Sequence, residues 1–308
     1  MFYVISATFI ILSIGSFFVR GLNYGIDFKG GRTYVVRFDQ DVQVADVQNA
    51  LAVVFDEAPE VKTYGSSNQV KITTDYKIDD NSETIDNEVE EMLMKGLQAA
   101  NFIDSDVSLE EFTEDYQLES QKVGPTISDD IRKDSAIAIG FSLVIIFLYI
   151  LLRFRNWQYG LGAVAALTHD SLIVLGIFSL LYGILPFSLE IDQAFIAAIL
   201  TVLGYSINDT VVVFDRIREY LNLYPKRDRD DNVDRALNST LRRTFSTSLS
   251  TFAVLFAIFL FGGATIRGFT FALLIGVVVG TYSSLFIATP IAFDTQKRVA
   301  KVIAKRKK

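Results

Sequence analysis

Six long apolar runs dominate this chain of 308 residues, at about 2–19, 135–152, 161–182, 191–214, 245–262 and 269–293. The bilayer hydrocarbon is roughly 30 Å thick and takes about 20 helical residues to cross. The run 191–214 has 24 residues, about 36 Å as a helix at ~1.5 Å per residue. The run 2–19 has 18 residues without a charge, the shortest length that spans. Half the residues are hydrophobic and mean hydropathy is positive, which sets the chain apart from a soluble enzyme. The expected fold is a polytopic α-helical membrane protein with six transmembrane helices and one extracytoplasmic α+β domain between helices 1 and 2. The boundaries are 1–19 for the first helix, 20–133 for the watery domain, 134–293 for helices 2–6, and 294–308 for a basic tail.

Charge divides along the same line. Residues 20–133 hold 24 acids against 11 bases, and the remainder 12 acids against 18 bases. Arg153 and Arg155 follow the second run, and residues 215–243 carry eight bases with six acids. The tail from Lys297 to Lys308 has seven bases and no acid. The positive-inside rule places these three segments and both termini in the cytoplasm, and the acidic domain outside, in the periplasm of a Gram-negative cell. Only Met1 precedes the first run, without a basic region or a cleavage site. A true span is expected there, with a signal peptide as the alternative.

Within 20–133 the order reads β-α-β-β-α-β. Thr33–Phe38 has strand composition, and 44–55 has helical spacing through Val44, Val47, Leu51 and Val54. Residues 61–64 and 69–73 form a hairpin about Gly65–Asn68. Residues 83–100 form an acidic-faced helix through Ile85, Val89, Leu93 and Leu97, and 106–118 supply a last strand. This order suits a ferredoxin-like domain. Its acids read as a solvated face. Gly30-Gly31 is not a phosphate loop, because no GxxxxGK pattern follows. No cysteine and one histidine exclude thiol chemistry and disfavour a zinc or iron–sulfur site, and no metal or cofactor is expected.

Ionisable residues inside the apolar runs need an explanation, because burying charge in hydrocarbon costs about 2.5–3.5 kcal/mol at the centre of a span. Asp209 lies six residues from the middle of its run, about 9 Å from the midplane. It reads either as an interfacial acid with a local partner or as a carboxyl that takes up and releases a proton. Asn208 precedes it. His169 and Asp170 sit near the centre of the third run, either as a structural hydrogen-bond pair between helices or as a proton relay. Arg243 opens the fifth run, with Ser246, Thr247 and Ser250 on its helical face. It reads as a cytoplasmic anchor or as the partner that sets the charge state of Asp209. Ala194, Ala198, Thr201, Tyr205 and Asp209 form a small-polar stripe, and Gly276 and Gly280 a small-xxx-small pair read as plain packing. Together these give a polar seam through spans three, four and five along which protons move down their gradient, with Asp209 as the titrating group.

Five segments carry a family resemblance: 21–31, with Gly25, Asp27, Phe28, Gly30 and Gly31; Val123-Gly124-Pro125; His169-Asp170; 204–216; and 243–248. In this order they resemble the SecF branch of the SecD/SecF protein-export family, within the resistance-nodulation-division superfamily. The resemblance implies a non-enzymatic accessory subunit of the Sec translocase in the bacterial inner membrane. It implies partnership with SecD and the SecYEG channel, with YajC and YidC, and with the translocating preprotein, and none with nucleic acid. It implies the proton-motive force as energy source in place of a cofactor, spent on late steps of export, with Asp209 and Arg243 at positions tied to proton flow. The family's basic segment before the first span is missing here, as expected of a trimmed chain or of the SecF half of a fused SecDF chain. The competing readings are a small-molecule or lipid exporter of the same superfamily and a non-conducting structural subunit. The first needs a larger outer domain, and the second leaves the buried Asp209, His169 and Asp170 without a purpose.

Overall fold

The computed structural model describes residues 2–306 apart from Asp56 and Asn81; Met1 and the tail residues Lys307 and Lys308 lie outside the described residues. The chain is mostly helical, with six helices long and apolar enough to cross a membrane and one small antiparallel sheet. The first of the six is α1 (Phe2–Val19). A short α2 (Ile26–Lys29) leads into β1 (Gly31–Arg37), followed by α3 (Val44–Leu51), β2 (Glu60–Tyr64), β3 (Ser66–Thr74), α4 (Glu83–Ala99) and a turn, α5 (Leu109–Glu111). Then come β4 (Gln117–Val123), α6 (Pro125–Phe154), α7 (Trp157–Leu181), α8 (Gln193–Leu223), α9 (Arg229–Phe261), α10 (Ala264–Ser283) and α11 (Thr289–Arg306).

The strand order is β2-β3-β1-β4, with every neighbouring pair antiparallel. Alternate strand residues Val36, Val70 and Ile72 point to one face, where Val47 and Leu51 of α3 and Val89, Leu93 and Leu97 of α4 cover them. The apolar residues of α4 therefore fall at the spacing expected of them. The last strand does not. Residues 106–118 hold α5 and a π-turn over Phe112–Tyr116, and the strand follows at 117–123. Its sequence, QLESQKV, is polar and mostly exposed, so pairing with β1 rather than composition makes it a strand.

The membrane helices form an inner and an outer set. α7, α8 and the α10–α11 segment bury roughly half of their apolar windows, while α6 and α9 bury 6% and 11%. The outer pair turns apolar surface away from the protein, as lipid-facing or partner-facing helices do. Helix ends carry the expected caps. Pro125 opens α6 behind an extended Gly124. Asp192 caps α8 by accepting from Phe195 N, and Asp228 caps α9 by accepting from Asp230 N and Asp231 N.

The sheet is seated on the helices. Lys71 of β3 pairs with Glu190 in the α7–α8 connection at 2.5 Å, with Lys62 at 3.6 Å from the same carboxylate. Tyr64 Oη lies 2.8 Å from Thr265 Oγ1 at the start of α10. Tyr24 forms a parallel bridge with Ile191, closed by Gly25 N to Ile191 O at 3.0 Å and Ile191 N to Asn23 O at 2.8 Å.

Candidate functional site

Three inner helices meet at Asp170 of α7, which is fully buried. Its Oδ1 lies 3.0 Å from His169 Nδ1. Its Oδ2 accepts from Ser206 of α8 at 2.8 Å and from Ser283 of α10 at 2.7 Å. The histidine and aspartate are thus neighbours on one helix, and the serines make the links between helices. A carboxylate in this setting needs several donors to offset desolvation, and the serines supply them. His169 is 3% exposed, its ring stacks on Tyr282 with centroids 6.1 Å apart, and its Nε2 is buried without a hydrogen-bond partner.

The serines reach Asp170 because α8 and α10 approach closely. A methyl on Gly280 would lie 3.0 Å from Ser206 Cβ, and one on Gly276 would overlap Val202. These glycines are the expected small-xxx-small pair, and their packing places Ser283. Just beyond it, a π-turn over Ser284–Ala288 interrupts the helical ladder, a feature frequent at functional sites. Ser284 Oγ lies 2.9 Å from Thr210 Oγ1.

Asp209 of α8 is 4% exposed, one helical turn below Ser206. Its Oδ2 accepts from Ser248 of α9 at 3.5 Å, and Ser248 Oγ lies 2.6 Å from Thr281 of α10 and 3.4 Å from Tyr205 Oη. The carboxyl is therefore held by a neutral hydroxyl. Arg243 is exposed and, among the described residues, forms no ion pair with Asp209. The stripe predicted beside it faces the wrong way. Ser246, Thr247 and Ser250 are exposed, and the hydroxyls of Thr247 and Ser250 bond their own helix backbone. The buried face of α9 is Ala236, Thr240, Thr244 and Ser248, recurring every four residues. Of the stripe predicted on α8, Ala198 and Asp209 are buried, Tyr205 is half-buried, and Ala194 and Thr201 are exposed; Asn208, outside the stripe, is exposed too.

Ser206, Ser248, Thr281 and Ser283 were not singled out from sequence. A signal was present, because Thr281-Tyr282-Ser283-Ser284 puts four hydroxyl residues in a row inside an apolar run.

The glycine-rich segment after α1 forms a joint outside the helical bundle. Asp27 Oδ2 accepts from Gln193 N at the start of α8 at 2.9 Å, where the helix dipole favours a carboxylate. Its Oδ1 lies 3.5 Å from Gln121 Nε2 of β4. Phe28 packs into the apolar cluster of Val174 and Phe178, and its carbonyl accepts from Arg132 of α6. Gly30 and Gly31 have φ of +77° and +138°, a region that favours glycine, and they turn the chain from α2 into β1. Gly124 and Pro125 start α6 directly beside Gly30. No cluster of metal-ligating side chains occurs among the described residues.

Residues 105–298 match the family described as protein export membrane protein SecD/SecF, C-terminal, and residues 15–42 match the SecD/SecF GG motif. The protein translocase subunit SecF of Rhodothermus marinus is 43% identical over 299 residues, covering 97% of this chain and 91% of the relative. That of Haemophilus influenzae is 36% identical over 96% of this chain and 84% of the relative. A crystal structure of SecDF, a translocon-associated membrane protein from Thermus thermophilus, superposes with a TM-score of 0.79 at 31% identity. The match covers 96% of this chain and 37% of that one. SecDF in its super-membrane-facing form superposes with a TM-score of 0.64 at the same identity, over 99% and 39%.

Proposed function

This chain belongs to the SecD/SecF family of protein-export membrane proteins, on its SecF side, and from that premise we propose that it is a protein translocase subunit that couples proton movement to export. It works beside SecD in the bacterial inner membrane and promotes late steps of transfer through SecYEG, with YajC and YidC as further partners. This role is an accessory one, without a chemical reaction of its own. The likeness to roughly a third of a SecDF chain supports a SecD-like half as the missing complement.

The sheet domain is ferredoxin-like in this reading, supported by its β-α-β-β-α-β order and its β2-β3-β1-β4 arrangement. It faces the outside of the cell, and the basic connections and tail face the cytoplasm.

The single observation that carries proton coupling is Asp209, a carboxyl buried in a membrane span whose bonded partner is a hydroxyl. A permanent ion pair would fix its charge; a serine accommodates both protonation states by donating to the carboxylate or accepting from the acid. Protonation removes the charge and changes which packing of α8 against α9 and α10 is favoured. His169 and Asp170 form a second polar station, on α7 against α8 and α10, and Arg243 supplies positive charge near the cytoplasmic side.

The test is export of a secreted reporter in cells lacking the native protein, complemented by this chain with its SecD partner. Asp209→Asn at equal membrane abundance is expected to lose the part of export that depends on the proton-motive force while still assembling. Full export in that variant would overturn the reading.

A further inference from the structure

The sheet has two edge strands, β4 and β2, and their surroundings differ. β4 is polar and mostly exposed. β2 faces a slot of about 390 Å³ between itself and the connection from α7 to α8, within the size range of ligand pockets, roughly 300–1,000 Å³. The strand lines the slot with four consecutive residues, 60–63. Successive side chains of a strand point to opposite faces, so a cavity touched by all four lies along the backbone edge rather than over either face. Among the described residues, β2 pairs with β3 alone and makes no backbone bond on its other side. Such an edge presents a row of free N–H and C=O groups, which proteins usually cover or blunt. A bulge at Thr63/Tyr64 ends the regular ladder, leaving about 13 Å of edge at ~3.3 Å per residue.

The facing wall is apolar. Leu185, Phe187 and Leu189 supply it, joined by Val44 at the start of α3. Phe187 is held edge-on by Phe259 of α9 and Phe271 of α10, with centroids 5.4 and 5.3 Å away, and Leu189 is buried in the apolar cluster of α7 and α8. Both walls are fixed before anything binds, which lowers the ordering cost of binding. Glu60 and Lys62, the charged residues of this edge, pair with each other at 2.7 Å, so the slot favours an uncharged ligand. Apolar walls alone would suit a lipid chain. The free strand edge favours a polypeptide, because hydrocarbon satisfies neither N–H nor C=O groups.

We propose that the slot binds an extended polypeptide segment as an added strand beside β2, with an apolar side chain of that segment seated against Leu185 and Phe187. The inference rests on the reading of the chain as an export subunit and names a site within it: the ligand is a stretch of exported chain, still unfolded on the outer side. Main-chain pairing supplies affinity without regard to sequence, and the apolar wall sets the one preference.

The test uses the full chain with its SecD partner in nanodiscs. The probe is a short fluorescent peptide of alternating leucine and threonine. Two further versions carry N-methyl groups on one or the other set of alternate amides. One of these turns its methyls toward β2 and is expected to bind about tenfold more weakly than the parent. Equal affinity of all three peptides overturns the added strand. Displacement of the parent peptide by a short-chain phosphatidylglycerol, with N-methylation without effect, identifies a lipid site and also overturns it.

A second measurement locates the peptide. The chain has no cysteine, so a single introduced thiol reports on one position of it. Thr63→Cys, on the exposed edge of β2, is expected to form a mixed disulfide with a cysteine-bearing version of the peptide. Leu118→Cys on β4, where the native side chain is 46% exposed, is the control for the other edge. Coupling at T63C no faster than at L118C overturns the site. The two readings fail separately. Peptide bound at T63C, with normal export in cells lacking the chain, overturns the export reading and leaves the added strand standing. No binding, with defective export in those cells, overturns the slot alone.

Discussion

Lys71 Nζ of the sheet lies 2.5 Å from Glu190 Oε2 of the membrane domain, with only 19% and 10% of the side chains exposed. Burial alone would lower the pKa of Lys71 and raise that of Glu190. Each partner's charge and hydrogen bond outweighs burial, so Lys71 is raised and Glu190 lowered. The contribution of Glu190 is present above the ordinary carboxylate range and is lost as pH falls through its lowered value. That of Lys71 is present below its ordinary value and is lost as pH rises through its raised one. The joint is therefore expected to hold across the whole neutral range. Glu190→Gln should lower stability by roughly 2 kcal/mol, less than for a fully buried pair, and flatten the acid limb of thermal stability against pH.

Gly276→Ala is expected to destabilise by about 1–3 kcal/mol, because the new methyl overlaps Val202, a β-branched side chain with little rotamer freedom. Gly280→Ala meets Ser206 at 3.0–3.1 Å and should cost less. Thermal unfolding in detergent checks the ranking.

Ser206→Ala and Ser283→Ala each remove one donor from the same Asp170 oxygen. Each is expected to cost about 1.5–3 kcal/mol, the range for hydrogen bonds to charged groups. The double variant should not be additive, because both act on one buried carboxylate. A double-mutant cycle on unfolding free energy measures that coupling.

Arg32 of β1 is 1% exposed and gives Nε and Nη2 to Asp86 at 3.1 and 2.8 Å, and Nη1 to Tyr76 O at 2.7 Å. Arg32→Lys retains the charge but not this planar fork, and is expected to cost about 2 kcal/mol. Amide hydrogen exchange in β1 and α4 should rise in that variant.

The spans and the helix–strand order of the sheet were legible in sequence because they follow from burial of apolar side chains at fixed periods. The strand at 117–123 was not, because an exposed edge strand is defined by its neighbour. Asp209, His169 and Asp170 stood out because a charge in hydrocarbon demands an explanation, whereas Ser206 and Ser283 resemble ordinary small packing residues. The hydroxyls facing Asp209 were misplaced for a geometric reason. Spacing from Arg243 fixes which residues share its face but not which way that face points. The helix turns Arg243 outward and presents Thr240, Thr244 and Ser248 inward.

The bond from Gln193 N to Asp27 has a mechanical consequence. It grips the N-terminal end of α8, and Gln121 ties the same carboxylate to the edge strand of the sheet. Asp209 sits sixteen residues further along, about 24 Å down a continuous helix. A helix of that length transmits torque as a stiff rod. A roll of about 20° carries a group about 5 Å off the axis through roughly 2 Å, enough to separate Asp209 from Ser248. A pull on the sheet and a change in the contact between Asp209 and Ser248 thus act on one shaft, the first at its N-terminal end and the second at its middle.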